Sequence, residues 1–174
     1  VGDENGELAH SSFLRNAKRK LTNLMTAPIA GFGDNNIFFV DFGIKTAKDG
    51  SYVFDKTSFD RTFTNSPEKF DALTEDKAYA SDPDVFVYAT AGSAVPSGRH
   101  TFTDSNDRLS YGASSVKDLT LTGPNSGKYN FSTSDYPGFL FQTSDSSPGD
   151  LTIYVGRSAK TKLLNFFSDE LATA

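Results

Sequence analysis

Cysteine and tryptophan are absent from this chain of 174 residues, and methionine occurs once. Without cysteine, neither a disulfide nor a thiolate-held metal can form. The absence fits a reducing compartment, and it also fits a protein exported unfolded and never oxidised. Histidine is nearly as scarce, at two residues, His10 and His100. No serine sits in a G-x-S-x-G elbow, so neither imidazole has the surroundings of a Ser-His-Asp relay. There is no G-x-x-x-x-G-K-[ST] phosphate loop, and Gly31-Phe32-Gly33-Asp34 lacks the later glycine of a dinucleotide fingerprint. No enzyme activity, catalytic residue or cofactor is therefore expected. No apolar run reaches the roughly 18 residues of a membrane-spanning helix, so no membrane insertion is expected. Positive charge is in deficit: 17 Lys and Arg against 22 Asp and Glu give a net charge of −5. That balance disfavours nucleic acid and anionic membranes as partners. The opening VGDENGELAH is acidic and polar, unlike a signal peptide, and has no initiator Met, so a fragment of a longer protein is expected.

Aromatics are what the chain has in quantity. Hydrophobic residues make up only 37 %, but 16 Phe and 7 Tyr bury large areas each. Residues 11–26 read as a helix capped by Ser11 or Ser12, with Leu14, Ala17, Leu21 and Leu24 on one stripe. Arg15, Lys18, Arg19 and Lys20 fall mostly on the other faces, as a solvated or partner-facing surface. Pro28 and Gly31 end the helix. Residues 37–54 read as a hairpin: an apolar run from Ile37 to Val40, alternating Phe42 and Ile44, a turn at Asp49-Gly50, then Tyr52 and Phe54 burying one face. Asp55 is placed to cap a helix over 56–64, with Phe59 and Phe63 four apart on one side. Ser66-Pro67-Glu68 reads as a second helix start, with Ser66 at the cap. A last helix starts at Ser158, with Leu163, Phe167 and Leu171 repeating every four residues.

From about 76 to 150 the composition shifts to Ser, Thr, Asp, Gly and aromatics. Strands are expected at Val85–Ala89, His100–Thr103, Leu109–Tyr111, Val116–Leu121, Lys128–Ser132, Phe139–Thr143 and Leu151–Val155. Gly turns separate several of them, which predicts a small antiparallel sandwich or barrel-like sheet. SGRHTFTDS (97–105) and SGKYNFSTS (126–134) look alike, as a duplicated hairpin or as the common grammar of turn and strand. The acidic stretches at 82–84, 104–107 and 145–150 lack EF-hand spacing and read as solvated turns, so no metal is expected. Tyr111, Tyr129 and Tyr136 have the character to stack on sugars, or to fill core and edge positions. Asn130-Phe131-Ser132 matches the short glycosylation sequon.

The order Asp41, Gly43, Ile44, then Asp49, Gly50, Tyr52, Phe54, Asp55, then Phe59, Phe63, Asn65, Pro67 and Glu68 resembles the C-terminal region of the flagellar hook-associated protein 2 family, the filament cap proteins. Upstream, Gly6, Leu8, Ser12, Leu14, Arg15 and Leu21 fit the family's segment leading into a helix, with His10-Ser11 in place of Gly-Asp. Downstream, VGRSAKTKLLNFFSDEL (155–171) is similar to the start of its terminal helix. The resemblance covers three blocks and leaves the β-rich 76–154 unmatched. It implies an α+β chain in which 1–75 and 155–174 form a leg of helices and hairpin around an inserted, outward β-rich domain at 76–154. It also implies a secreted structural protein of the bacterial flagellum, exported through the flagellar channel, that assists flagellin polymerisation at the filament tip. Its implied partners are flagellin, hook-junction proteins and copies of itself. Leu14, Leu21, Leu24, Leu163, Phe167 and Leu171 would be the subunit-packing residues. Family members ring the tip through further coiled-coil ends; without those, this chain is expected to be monomeric in solution. An adhesin binding host glycan or protein through the β-rich region is the rival reading. Another axial protein such as flagellin is a third, against which the Gly-Ile, Asp-Gly, Asn-x-Pro-Glu order argues.

Overall fold

Residues 12–90, 95–104, 109–111, 120–121, 128–131, 139–143 and 149–172 are described by the structure, a computed structural model. The chain forms two compact units. The first comprises Val1–Pro28, Ile37–Glu75 and Ser158–Ala174; the second comprises Ile29–Asn36 and Asp76–Arg157. With helices in the first and antiparallel sheets in the second, the class is α+β, as expected.

In the first unit, α1 spans Ser12–Thr26 and α4 spans Ala159–Ala172. The α4 start is a side-chain cap: Ser158 Oγ accepts the Thr161 N–H at 3.2 Å. Between these helices in sequence lie β1 (Ile44–Thr46), β2 (Tyr52–Phe54), α2 (Lys56–Asn65) and α3 (Asp71–Thr74). The hairpin is shorter than its apolar pattern predicts. Residues Phe39–Phe42 wind into a 3-10 turn instead of continuing the strand. Asp41 accepts the Phe38 N–H at 2.8 Å, and Gly43 closes the turn at φ +78, a conformation a side chain disfavours. The Asp41 bond, together with the Gly43 N–H donated to the Val40 carbonyl at 3.0 Å, outcompetes strand pairing for an apolar run that alternation alone assigns to β. Pro67–Phe70 is likewise 3-10, ahead of α3, and Ser66 makes no side-chain cap there.

Among the described residues, the second unit holds eight strands in two four-stranded antiparallel sheets. One orders β3 (Lys77–Ala80), β10 (Leu151–Gly156), β5 (Gly98–Asp104) and β6 (Leu109–Tyr111). The other orders β4 (Val85–Thr90), β9 (Phe139–Thr143), β8 (Lys128–Phe131) and β7 (Thr120–Leu121). Phe102 of β5 meets Phe141 of β9 edge-on with ring centroids 5.6 Å apart, so the sheets face each other as a small sandwich. Val85, Val95, Leu151, Ile153 and Val155 complete its core. Strand β3 was not foreseen: Lys-Ala-Tyr-Ala has weak β preference, and it is strand because it pairs with β10. The last strand continues to Gly156, past the boundary expected at 154, and residues 29–36 join this unit although the sequence pattern leaves them with the helices.

His100 lies on the core side of β5 with Phe102, buried, and its Nε2–H donates to the Pro96 carbonyl at 2.9 Å. Burial pushes its pKa below the usual histidine value, and the Pro96 bond offsets this in part. The unfolded chain therefore takes up a proton near pH 6.5 that the folded chain resists. Stability from this group is full above that pH and falls as pH drops through it. A fall of the thermal midpoint from pH 7.5 to pH 5.5 is expected, and His100→Asn should flatten that part of the profile.

Candidate assembly surface

The hairpin is built from the turn outward. Gly50 takes φ +82 and donates to the Ala47 carbonyl at 3.0 Å; Asp49 Oδ1 accepts the Ser51 N–H at 2.9 Å. The Ser51 hydroxyl, which donates to the same Oδ1 at 2.7 Å, and then this Ser51 N–H hold the Asp49 carboxyl below the usual carboxylate range. The register pairs Ile44 with Phe54, Lys45 with Val53 and Thr46 with Tyr52. Asp55 then ends β2 and starts α2: its Oδ1 accepts the Thr57 and Ser58 N–H groups at 3.0 and 3.2 Å. Its other oxygen takes the Lys45 ammonium at 2.5 Å and the Ser58 hydroxyl at 2.9 Å. Lys45 first, then Ser58, holds the Asp55 carboxyl far below the ordinary range. Because the folded pKa is depressed, this contribution is present above about pH 4 and is lost as pH falls below it. Asp55→Ala should lower the thermal midpoint of this unit by roughly 4–8 °C at neutral pH, with the gap to wild type closing toward pH 2.

Around this cap the phenylalanines gather. Phe42 is fully buried and meets Phe70 edge-on at 5.0 Å. Phe59 lies parallel to Phe63 at 6.1 Å and edge-on to Phe70 and Phe54 at 5.2 and 5.4 Å. Gly43, Ile44, Asp55, Phe59 and Phe63 are thus brought together, while Asp49 and Gly50 stay at the turn and Pro67 opens the following 3-10 turn. The expectation that Tyr52 and Phe54 bury one face is corrected. Tyr52, Val53 and Phe54 are 41, 48 and 62 % exposed, and Phe63 is 58 % exposed. The hairpin's buried apolar contacts come from the 3-10 turn before β1, so β2 is left outside.

The helices tell a similar story. No residue of α1 is buried: Phe13 and Leu14 are exposed, and Leu21 and Leu24 are half-buried. On α4, Leu163 is half-buried, but Leu164, Phe167 and Leu171 are exposed. Where α1 and α4 meet, the buried Glu170 pairs with Lys20. An open groove of about 420 Å³ lies there, lined by Leu24, Asn165, Phe166 and these two charges. Lys162, also on its wall, donates to the Pro28 carbonyl at 3.1 Å, and burial pushes its pKa down.

In the β unit, residues 29–36 lie across the outer face of the first sheet. Gly31 packs directly on the Val155 carbonyl, and the Phe32 ring covers Gly156. The Tyr154 hydroxyl donates to Asp34 Oδ1 at 2.6 Å, which pushes the phenol pKa up. Tyr79 stacks on Tyr154 at 5.1 Å, and Arg99 reaches Asp34 at 3.7 Å. This row of Tyr79, Tyr154 and Arg99 spans three neighbouring strands. Sequence reading missed it, because only strand register aligns the three. Asp82 accepts the Asp84 N–H at 2.9 Å, an Asx turn as read for 82–84. Among the described residues, no group of three or more His, Asp or Glu is placed to hold a metal ion. No described helix is long and apolar enough to cross a membrane. His10, Ser11, Ser132 and Tyr136 lie outside the described residues. No family model, curated protein or solved structure matches the chain.

Proposed function

We propose that this chain is a structural assembly protein of an extracellular bacterial filament, acting as a flagellar cap does in assisting polymerisation of exported flagellin. The observation that carries this reading is the uncovered apolar surface of the first unit. Helices α1 and α4 present Phe13, Leu14, Leu164, Phe167 and Leu171 to solvent, and β2 presents three more apolar side chains. Large apolar side chains left exposed together on one element, as Leu164, Phe167 and Leu171 are on α4, mark a place where another protein sits. Flagellin, hook-junction proteins and further copies of this chain are the neighbours proposed to bury these faces. The order of residues from Asp41 to Glu68 supports the same assignment. Deleting the gene should leave flagellin monomers in the medium and cells without filaments, and the intact gene should restore both. Normal filaments in the deletion strain would remove this reading.

A second reading assigns the β unit to adhesion. It is favoured by the half-buried Tyr79 stacked on Tyr154, with exposed Arg99 on the strand beyond and paired with Asp34, an aromatic row ending in groups that hydrogen-bond sugar hydroxyls. Binding on a glycan array that is lost in Tyr79→Ala supports it; an array at background with the wild-type chain removes it.

A further inference from the structure

We propose that the outer edge of β2 pairs with β2 of a second copy of this chain, antiparallel and centred on Val53, as a weak two-fold contact. The backbone geometry carries the argument. Two hydrogen bonds bracket the hairpin ladder: Asp55 N–H to the Gly43 carbonyl at 2.7 Å, and Ala47 N–H to the Ser51 carbonyl at 2.8 Å. In an antiparallel ladder hydrogen-bonded and non-hydrogen-bonded pairs alternate. Lys45 and Val53 are therefore the bonded pair between them, and Ile44–Phe54 and Thr46–Tyr52 are the non-bonded ones. It follows that the N–H and C=O groups of Tyr52 and Phe54 point away from β1. The sheet has two strands, and among the described residues no strand lies on that side of β2. Only an extended backbone matches a donor and an acceptor at each of two residues spaced by two.

A second β2 is such a backbone, and it is self-complementary. With Val53 opposite Val53 of the other copy, Tyr52 faces Phe54 and Phe54 faces Tyr52, giving four backbone hydrogen bonds across the seam. Aromatic pairs directly opposite are among the stabilising cross-strand pairs. Charges also fit. Asp55 faces Ser51 of the other copy, a hydroxyl and not a like charge, and its carboxylate already carries Lys45. The edge Ser51-Tyr52-Val53-Phe54 has none of the lysines, prolines or bulges with which edge strands are guarded. From the exposures of Tyr52, Val53 and Phe54, roughly 300 Å² per copy is available to the contact. That is under half of the roughly 800 Å² per partner that a stable interface buries. The contact is accordingly weak, and the chain is monomeric when dilute, as the sequence leads one to expect.

The absence of cysteine makes the test direct. Val53→Cys introduces a single thiol, and a non-hydrogen-bonded antiparallel pair places its two Cα atoms about 4.5 Å apart, within disulfide reach. Ser51→Cys, equally solvent-exposed in character, would stand roughly 13 Å from its copy in this register, four residues along the strand. Under mild oxidation, covalent dimer should form at least about tenfold faster from Val53→Cys than from Ser51→Cys, as expected when pairing raises the effective concentration. Equal rates would overturn the proposal. Sedimentation velocity gives an independent arm. Wild type should shift toward dimer as concentration rises from about 10 µM to 1 mM, the range expected for a seam this small. Tyr52→Lys/Phe54→Lys puts ammonium against ammonium and should stay monomeric, whereas Tyr52→Lys/Phe54→Glu puts opposite charges across the seam and should dimerise. A wild type monomeric throughout, or loss of the dimer in both double variants, sinks the pairing.

Discussion

Gly31→Ala is expected to destabilise the β unit by about 3–5 kcal/mol, close to what a core truncation costs. Two effects add. Gly31 sits at φ +90, where an L side chain costs roughly 1–2 kcal/mol. A Cβ there would also overlap the Val155 carbonyl, a backbone atom of the central strand β10 that cannot step aside. Gly50→Ala separates the two effects. Its φ of +82 is nearly the same, but no atom lies within 4 Å of the added methyl. It should therefore cost only about 1–2 kcal/mol, all of it backbone strain. Hydrogen exchange at the amides of Leu151–Gly156 reads the difference. Protection there should fall at least about a hundredfold in Gly31→Ala, whereas in Gly50→Ala, which lies in the other unit, the amides of Tyr52–Phe54 should lose only about tenfold. Equal, mild effects would mean that residues 29–36 do not pack on β10.

The second large effect is expected at the centre of the sandwich. Phe102 and Phe141 are both fully buried, one from each sheet, and their rings meet edge-on. Phe102→Ala removes this ring contact between the sheets and should cost about 3–5 kcal/mol. A small domain has only about 5–15 kcal/mol in total, so the β unit should be near unfolding at room temperature. Phe102→Leu fills most of the space and should retain more than half of the lost stability. Urea unfolding followed by far-ultraviolet circular dichroism measures both. The double variant with Phe141→Ala should cost less than the two single changes added together, because either truncation already removes the ring contact.

These two positions differ in how legible they are in the sequence. Phe102 could be picked out, because it stands in an alternating run whose neighbours are polar. Gly31 could not. It lies in a loop with no periodicity, and its constraint is set by a strand some 120 residues later. The same division holds at the candidate surface. The Asp49-Gly50 turn, the Asp55 and Ser158 caps and the spacing of Phe59 and Phe63 are read correctly, because each rests on atoms within four residues. The strand expected through Phe39 is wrong, because Asp41 and Gly43 supply a competing turn that apolar alternation does not register.

By itself, then, the sequence determined what short-range chemistry determines: where helices start, where the hairpin turns, which stretches alternate, and that thiol chemistry is excluded. It also marked Leu14, Phe167, Leu171, Tyr52 and Phe54 as apolar faces of their elements. Periodicity tells which side of an element prefers to leave water, but not whether anything arrives to cover it. That was decided by tertiary structure alone. Strand β10 is covered on both faces, by the core on one and by residues 29–36 on the other. Strand β2 and the outer sides of α1 and α4 are left largely open: Phe42 fills the interior beside Phe70, and Phe54 of β2 reaches that cluster only at its edge, through Phe59.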